Sequence, residues 1–364
     1  MEKRVYNFSA GPAVLPLPAI EEAQRDLLAL PGAGSSILEI SHRSKTFTRI
    51  IEQAEANLRE LLGIPNEYHV LFLQGGAQMQ FFMAPMNLLH GTGRSADYVL
   101  TGSWGKKAMS EAKTQGTTRV AFDAAADNYN RIPKPEELDL DPDAVYVHIT
   151  SNETIGGVQF PTEPDTGDVP IVCDSSSDFL CRPVQIERYG ILYACAQKNA
   201  GPAGVTVVII RDDLCQRSPK TLPSMLRYDL HAENKSLLNT APTFAIYMVN
   251  LVTKWLLEEV GGLEKMHQIN RDKAQLLYDC IDASEGFYTV HAEPGSRSIM
   301  NVAFRLKDSS FEEPFLKGAE QHDLVALKGH RSVGGCRASI YNAMPVGGVK
   351  ALCEFMNEFR AKNA

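Results

Sequence analysis

The chain has 364 residues, of which 44% are hydrophobic and 22% are charged, and this balance excludes a largely disordered protein. Its formal net charge of −8 disfavours nucleic acid and anionic lipid as partners. No apolar run approaches the roughly 20 residues of a transmembrane helix, and the seven cysteines form no C-x-x-C pair, so we predict a cytoplasmic protein with reduced thiols and no membrane partner.

Strand and helix patterns alternate through the first two thirds of the chain. Apolar residues at helical spacing predict a helix over residues 46–62 that Gly63 and Pro65 end. Further helices are predicted from about Ala77 and through residues 107–113. Short apolar strands are predicted at residues 69–73, 98–100, 145–149, 171–173, 191–196 and 205–210. This order predicts an α/β fold with a mostly parallel sheet that helices cover on both faces.

The pattern changes after about Leu237. Two long helices, hinged at Gly261 and Gly262, are predicted at residues 244–260 and 263–281. They are followed by predicted strands at residues 299–306 and 337–341 and a helix at residues 348–359. We predict a large domain at residues 16–262 and a smaller α/β domain formed by residues 263–364. Residues 1–15 are too irregular to assign by pattern and are grouped with the smaller domain.

One lysine lies where a buried strand gives way to a Gly/Pro-rich loop. Lys198 follows the apolar segment 191–196 and precedes a second apolar strand that carries no charge. Lysine ammonium groups are seldom buried without a partner or a chemical purpose. One such purpose is a Schiff base, because a partly desolvated lysine amine attacks carbonyl carbons. The ordinary alternative is a loop lysine that extends into solvent.

An aspartate ends another predicted strand, 24 residues before Lys198. Asp174 directly follows the apolar segment 171–173. Because the carboxyl ends of parallel strands share one edge of a sheet, where ligands bind, we expect both side chains at that edge. An aspartate there keeps a pyridinium nitrogen protonated while a lysine holds the aldehyde of pyridoxal phosphate. The alternative role for Asp174 is a cap on the following turn.

Two glycine-containing motifs also follow strands. Gly75 and Gly76 precede a predicted helix, whose N-terminus is suited to a phosphate. The motif is not G-x-G-x-x-G, so it does not support a nicotinamide cofactor. Trp104 lies in the second motif, residues 102–105, and either stacks on a pyridine ring or packs in the core.

Two His-Arg pairs lie at Gly/Ser-rich turns of this acidic chain. They are His42-Arg43 and His330-Arg331, and Arg337 follows the second pair. Guanidinium groups bind carboxylates and phosphates through two parallel hydrogen bonds. Each pair alone is typical of a surface turn, but together they predict a site for a multiply charged anion.

These motifs, in this order, resemble those of the phosphoserine aminotransferase family, whose members are fold-type I pyridoxal-phosphate enzymes. The resemblance covers nearly the whole chain, and its most specific segments are residues 7–12, 41–44, 74–76, 102–105, 150–157, 196–202 and 329–335. It implies a large domain with a mostly parallel seven-stranded sheet and a smaller α/β C-terminal domain. It also implies a homodimer with active sites at the subunit interface.

The resemblance further implies a role for each candidate residue and no metal. Lys198 holds the cofactor covalently, Asp174 pairs with the pyridine nitrogen, and Trp104 stacks on the ring. The other cofactor contacts are Thr154 at the 3-hydroxyl and, at the phosphate, Ala77, Gln78 and Gln197, with Asn239 and Thr240 of the neighbouring subunit. The substrate's side-chain anion is bound by His42, Arg43, His330 and Arg331, and its α-carboxylate by Arg337, with Ser9 nearby. Gln78 departs from the family pattern, since many members have Arg and others Ser at this position.

The reaction implied is amino transfer from L-glutamate to 3-phosphohydroxypyruvate, which gives 2-oxoglutarate and O-phospho-L-serine with ping-pong kinetics. In bacteria the family also converts 3-hydroxy-2-oxo-4-phosphooxybutanoate to 4-phosphohydroxy-L-threonine, on the route to pyridoxal phosphate. Two alternatives stay open. A lyase on the same scaffold, such as a cysteine desulfurase, needs a nucleophilic cysteine, for which Cys336 is the candidate. A non-catalytic homologue would bind the cofactor only structurally.

Overall fold

The computed structural model describes residues 4–363, which form fourteen strands and ten α-helices. The strands are β1 (Tyr6–Asn7), β2 (Tyr68–Gln74), β3 (Ser95–Leu100), β4 (Thr117–Asp123), β5 (Val147–Thr150), β6 (Asn152–Glu153), β7 (Val158–Gln159), β8 (Ile171–Asp174), β9 (Tyr189–Cys195), β10 (Val205–Arg211), β11 (Tyr288–Val290), β12 (Asn301–Leu306), β13 (Leu324–Val325) and β14 (Cys336–Ser339). The helices are α1 (Leu17–Asp26), α2 (Lys45–Leu62), α3 (Gln78–Leu88), α4 (Ser103–Ala112), α5 (Asp212–Cys215), α6 (Tyr228–Glu233), α7 (Thr243–Trp255), α8 (Leu263–Asp282), α9 (Glu312–Gln321) and α10 (Val346–Asn363). Within this range, no helix combines the length and the apolar character needed to cross a membrane.

Seven strands form the central sheet, in the order β2-β10-β9-β8-β5-β3-β4. Neighbouring strands from β9 to β4 are parallel, whereas β10 runs antiparallel to both β9 and β2. The sheet is therefore mostly parallel, and the predicted α/β fold is confirmed. Because β10 alone reverses direction, β2, β8 and β9 point the same way and end at one edge.

Helices cover both faces of this sheet, as predicted. Alternation along β10 places Val207 and Ile209 in one apolar cluster and Val208 and Ile210 in the other. Residues of α2 and α7 complete the first cluster, and residues of α3 and α4 complete the second. A strand buried on both faces needs apolar residues throughout, which explains the uncharged run at residues 205–210.

Local signals set the bounds of the longer helices. Ser44 caps α2, because its Oγ accepts a hydrogen bond from a first-turn amide at 3.1 Å. Gly63 ends this helix in the left-handed conformation, at φ 62°. Gly261 and Gly262, at φ 86° and 97°, separate α8 from the π-helical turn Leu256–Val260 that follows α7. The predicted hinge position is therefore the observed one.

A second sheet of three strands lies in the C-terminal part of the chain, in the antiparallel order β11-β12-β14. It shares one apolar core with α8, α9 and α10. The short strand β1 pairs in parallel with β13, so the N-terminal segment packs with this part of the chain. The domain boundaries at residues 16 and 262 stay predictions.

Candidate active site

The loop between β9 and β10, residues 196–204, carries Lys198 to the carboxyl edge of the central sheet. Lys198 Nζ donates a hydrogen bond to Thr154 Oγ1 at 2.7 Å and lies 5.9 Å from the centroid of the Trp104 ring. A Cβ added to Gly11 would come within 3.3 Å of the lysine Cγ, so the N-terminal segment packs directly on this side chain. Lys198 is therefore half-buried among specific partners and does not simply extend into solvent.

Asp174 ends β8 and is 4% exposed. Its Oδ1 accepts a hydrogen bond from the Ser176 amide at 3.0 Å, so it does cap the following turn. Burial raises the pKa of Asp174, while hydrogen bonds from Ser176 and the charge of Lys198 oppose this shift. The same residue lines the cavity that holds Lys198. The two interpretations of Asp174 are compatible, because one carboxylate oxygen suffices for the cap.

One cavity of about 610 Å³ brings most of the candidate residues together. Besides Lys198 and Asp174, the predicted site residues that line it are Ala77, Gln78, Trp104, Thr154, Gln197, His330 and Arg337. Its size is that of a typical small-molecule site. The cavity lies at the edge where β2, β8 and β9 end, as expected for ligand sites in sheets of this kind.

The turn between β2 and α3 is suited to an anion. Gly75 has φ 102°, in the left-handed region that favours glycine, and its amide donates to Gly204 O at 3.0 Å. α3 begins at Gln78, and both Ala77 and Gln78 line the cavity. The first turn of a helix presents amide donors and a partial positive charge, which together favour a phosphate.

Trp104 forms one wall of the cavity near the start of α4. Its indole Nε1 is buried and has no hydrogen-bond partner among residues 4–363. Lys107 Nζ lies 4.2 Å from the ring centroid, within the range of a cation–π contact. Since the ring also lines the cavity, core packing alone does not describe its position.

Glu153 is a residue of this region that sequence reasoning did not single out. It is 1% exposed, and its Oε1 accepts hydrogen bonds from the amides of Trp104 and Gly105, each at 3.1 Å. Burial raises the pKa of Glu153 to about 7, although these hydrogen bonds lower it. The only signal in the sequence was its place directly before Thr154 in the segment 150–157.

Two predicted anion-binding residues form a cationic side of the cavity. Arg337 Nη1 donates a hydrogen bond to Thr154 O at 3.3 Å. Burial lowers the pKa of His330, and the positive charges of Arg337, Arg331 and Lys107 lower it further. Like charges gathered in this way attract an anionic ligand.

The predicted residues that do not line this cavity are Ser9, His42, Arg43, Arg331, Asn239 and Thr240. Ser9 adjoins Ala10, which does line it. Asn239 Nδ2 donates to Gln74 Oε1 at 2.7 Å, directly before the glycine turn. His42 Nε2 is buried and pairs with no residue in the described part of the chain, while Arg43 and Arg331 are exposed. The roles of these six residues stay predictions.

Comparison with known proteins assigns the chain to a family. The family model for aminotransferase class-V matches residues 5–352. A phosphoserine aminotransferase of Rhodopirellula baltica is 56% identical over 363 residues, which cover 100% of this chain and 96% of that protein. The chain belongs to the phosphoserine aminotransferase family.

Solved structures of phosphoserine aminotransferases share this fold. The enzyme of Bacillus circulans subsp. alkalophilus has a TM-score of 0.97 and 53% identity, with 100% of both chains covered. A structure described as PLP-bound phosphoserine aminotransferase from Trichomonas vaginalis has a TM-score of 0.92 and 39% identity, and covers 97% of this chain and 100% of that one. The fold-type I architecture predicted for the family is therefore confirmed.

The cavity of this aminotransferase chain fits the predicted cofactor. An amine, a buried carboxylate, an indole face and a helix N-terminus are the groups that hold pyridoxal phosphate. In residues 4–363, no three His, Cys, Asp or Glu side chains are grouped so that they could hold a metal ion. The lyase alternative lacks support, because Cys336 is buried and burial raises its pKa to about 12.

Proposed function

We propose that this chain transfers the amino group of L-glutamate to 3-phosphohydroxypyruvate, forming 2-oxoglutarate and O-phospho-L-serine, with pyridoxal phosphate as cofactor. The observation that carries the proposal is that Lys198 and Asp174 lie in one cavity, beyond the ends of adjacent parallel strands. The name of the Rhodopirellula baltica relative, 56% identical over the whole chain, supports this choice of substrate.

Lys198 is the residue that moves the proton. Bound pyridoxal phosphate supplies an electron sink for the α-carbon of the amino acid. Lys198 Nζ first holds the cofactor aldehyde and is released when the substrate amine takes its place. The freed Nζ then accepts the α-proton and returns it, as a general base and general acid. Thr154 Oγ1, 2.7 Å from Nζ, fixes the starting position of the amine.

Asp174 and Trp104 act on the ring of the cofactor. A carboxylate beside the ring nitrogen favours the protonated form of that nitrogen, and so strengthens the electron sink. The indole of Trp104 covers one face of the ring. The phosphate binds at the start of α3, next to Ala77 and Gln78. Because Gln78 is neutral, the main-chain amides supply most of the attraction there.

The cationic side of the cavity suits substrates with an anion at each end. Arg337 binds the α-carboxylate, which glutamate and 3-phosphohydroxypyruvate share. His330 and Arg331 bind the other end, a carboxylate in one substrate and a phosphate in the other. Ser9 contributes near the α-carboxylate, since its neighbour Ala10 lines the cavity.

We also propose a homodimer, in which the neighbouring subunit supplies Asn239 and Thr240 to the cofactor phosphate. The side chains of Leu28 and Leu38 are 89% and 61% exposed, and covering them favours association. His42, whose Nε2 has no partner in residues 4–363, follows Leu38 closely in the chain. A subunit interface over this segment would bring His42 and the adjacent Arg43 into the substrate site.

A second substrate and a location complete the proposal. We infer that 3-hydroxy-2-oxo-4-phosphooxybutanoate is also accepted, because it carries the same two anionic ends. We infer a cytoplasmic location, which the seven free cysteines support, since disulfides are rare in that compartment.

The decisive experiment is the half-reaction. Protein loaded with pyridoxal phosphate is mixed with glutamate in the absence of a keto acid. We expect loss of the visible absorbance of the cofactor, with one 2-oxoglutarate formed per active site. Addition of 3-phosphohydroxypyruvate should restore the absorbance and yield O-phosphoserine. No spectral change and no 2-oxoglutarate would contradict the proposal, and sulfide release from cysteine would identify a lyase instead.

A further inference from the structure

Glu153 lies directly behind the part of the cavity wall that Trp104 and Thr154 form. Its carboxylate is buried, and its hydrogen-bond donors are main-chain amides. Trp104 N–H donates to Oε1 at 3.1 Å and to Oε2 at 3.2 Å, and Gly105 N–H donates to Oε1 at 3.1 Å. The side chain thus grips the main chain at the residue whose indole lines the cavity.

These two amides belong to the first turn of α4, where amides have no partner within the helix. The residue before the helix, Gly102, has no side chain that could cap it. A carboxylate from β6 therefore does what an N-cap residue usually does, and its negative charge complements the helix dipole. The orientation at which α4 leaves the sheet depends on this contact.

Gly102 gives an independent sign that the contact is specific. A Cβ at this position would lie 2.3 Å from Glu153 Cδ and 2.5 Å from Oε2. Its φ of 173° is extended and open to any residue, so the backbone does not require glycine here. What requires glycine is the close approach of the Glu153 carboxylate.

We propose that Glu153 is a positioning residue for the reaction: its carboxylate fixes the start of α4 so that the Trp104 indole lies against the bound cofactor ring, while the adjacent Thr154 holds Lys198. This inference rests on the proposed function for the identity of the cofactor. It assigns to one dipeptide the placement of both the stacking indole and the reactive amine.

Charged groups of the active site also face Glu153. The negative charge of Asp174 raises the pKa of Glu153, and the positive charge of Lys198 lowers it. The carboxylate is therefore partly ionised near neutral pH. As the pH rises through this region, the ionised form accepts the two amide hydrogen bonds more strongly and fixes Trp104 more firmly.

The test measures Trp104 directly. Trp104 and Trp255 are the two tryptophans, so a Trp255→Phe parent reports on Trp104 alone. In this parent we expect Glu153→Ala to red-shift the Trp104 emission of the apoprotein and to weaken pyridoxal phosphate binding about 10-fold or more, measured by quenching. Glu153→Gln, which keeps the volume, should remove the change in apoprotein emission between pH 6 and 8.

Asp308→Ala is the matched control, because Asp308 Oδ1 also accepts an amide at a helix start, at 2.8 Å, in the C-terminal part of the chain. It should leave Trp104 emission and cofactor binding as in the parent. A double-mutant cycle adds a second criterion. Gly102→Ala should weaken binding by itself, but in Glu153→Ala its effect should nearly disappear, because the clashing atoms are gone.

Unchanged Trp104 emission in Glu153→Ala, or effects of Gly102→Ala and Glu153→Ala that simply multiply, would overturn the inference. So would a pH response of Glu153→Gln equal to that of the parent. Failure of the proposed function is recognised separately, as a parent protein whose Trp104 emission does not respond to pyridoxal phosphate. The emission of the apoprotein variants still tests the placement of Trp104 in that case.

Discussion

Lys198 and Thr154 are 44 positions apart in the sequence, yet Lys198 Nζ donates to Thr154 Oγ1 over 2.7 Å. The loop after β9 brings the lysine and the segment after β6 brings the threonine to the same edge of the sheet. The amine is therefore placed by the protein itself. Thr154 O also accepts a hydrogen bond from Arg337, so one residue connects the reactive amine with the cationic side of the cavity.

Replacement of Thr154 by Val keeps the shape of the side chain and removes the oxygen. A neutral hydrogen bond contributes about 0.5–1.5 kcal/mol, so we expect the turnover rate to fall by about 2- to 10-fold. Thr154→Ser, which retains the hydroxyl, should keep a larger share of the activity. Steady-state kinetics with both substrates measure the difference, and equal rates for the two variants would show that the hydrogen bond is unimportant.

Lys198→Ala removes the proton-transfer group. We expect turnover to fall by about 10²- to 10⁴-fold, the contribution of a positioned general acid–base group. Lys113→Ala, at an exposed position beyond α4, is the control and should retain parent activity. Single-turnover kinetics in reconstituted protein measure the loss. A Lys198→Ala variant with parent turnover would refute the assignment.

Asp174→Asn keeps the size of the side chain and removes its negative charge. The ring nitrogen then loses the charge that favours its protonation, and we expect turnover to fall by about 10²-fold or more, as for other preorganised electrostatic groups. Cofactor binding should suffer less, because the phosphate site is untouched. The measurement is the ratio of turnover to cofactor affinity, and a loss of affinity alone would assign Asp174 a purely structural role.

Arg337→Met should weaken substrate binding at the α-carboxylate. A hydrogen bond to a charged group contributes about 1.5–3 kcal/mol, so KM should rise about 10- to 100-fold for both substrates. The control is Arg217→Met, which removes an exposed arginine that pairs with Asp213. If KM rises for glutamate but not for 3-phosphohydroxypyruvate, Arg337 does not bind the group that the two share.

Lys273 predicts how stability depends on pH. Its side chain is fully buried, and Nζ donates to the main-chain oxygens of Tyr341 and Ile340 at 2.8 and 3.0 Å. Burial lowers the pKa of Lys273 to about 7, and the nearby Cys181 opposes the shift. Between about pH 7 and 10 the unfolded chain binds more protons at this lysine than the folded one, so its contribution to stability rises with pH and is constant below that window.

Urea unfolding of the parent and of Lys273→Met at several pH values measures this effect. The difference in unfolding free energy should move in favour of the parent by at most about 1.4 kcal/mol per pH unit across the window. Lys273→Met should also be less stable throughout, because it leaves buried carbonyls without their donor. A difference that does not change with pH would mean that Lys273 keeps its ordinary pKa.

Much of the sheet follows from its apolar runs, but one strand direction does not. Alternation and burial along residues 205–210 predict a strand without saying which way it points. The loop 196–204 is too short for the crossover that a parallel neighbour needs, and this length is the signal for the antiparallel β10. The strand β4 escaped prediction because it lies at the edge of the sheet and is mostly exposed.

The candidate site was predictable where strand ends meet and not where main chain meets side chain. Lys198 and Asp174 follow from their places after parallel strands, since those ends share one edge. Glu153 could not be assigned, because a carboxylate in a sequence does not reveal which amides it meets. The pairing of β1 with β13 was equally hidden, since two short segments more than 300 residues apart carry no pattern of their own.

The reversed direction of β10 ties together the two segments that hold the cofactor in our proposal. Gly75 N–H donates to Gly204 O at 3.0 Å, and Thr206 Oγ1 donates to Gly75 O at 3.0 Å. The Gly75 amide exchanges its hydrogen with solvent only when this stitching opens, and the loop that carries Lys198 opens with it. Deuterium uptake at one glycine thus reports when the covalent and ionic anchors loosen as one cooperative unit.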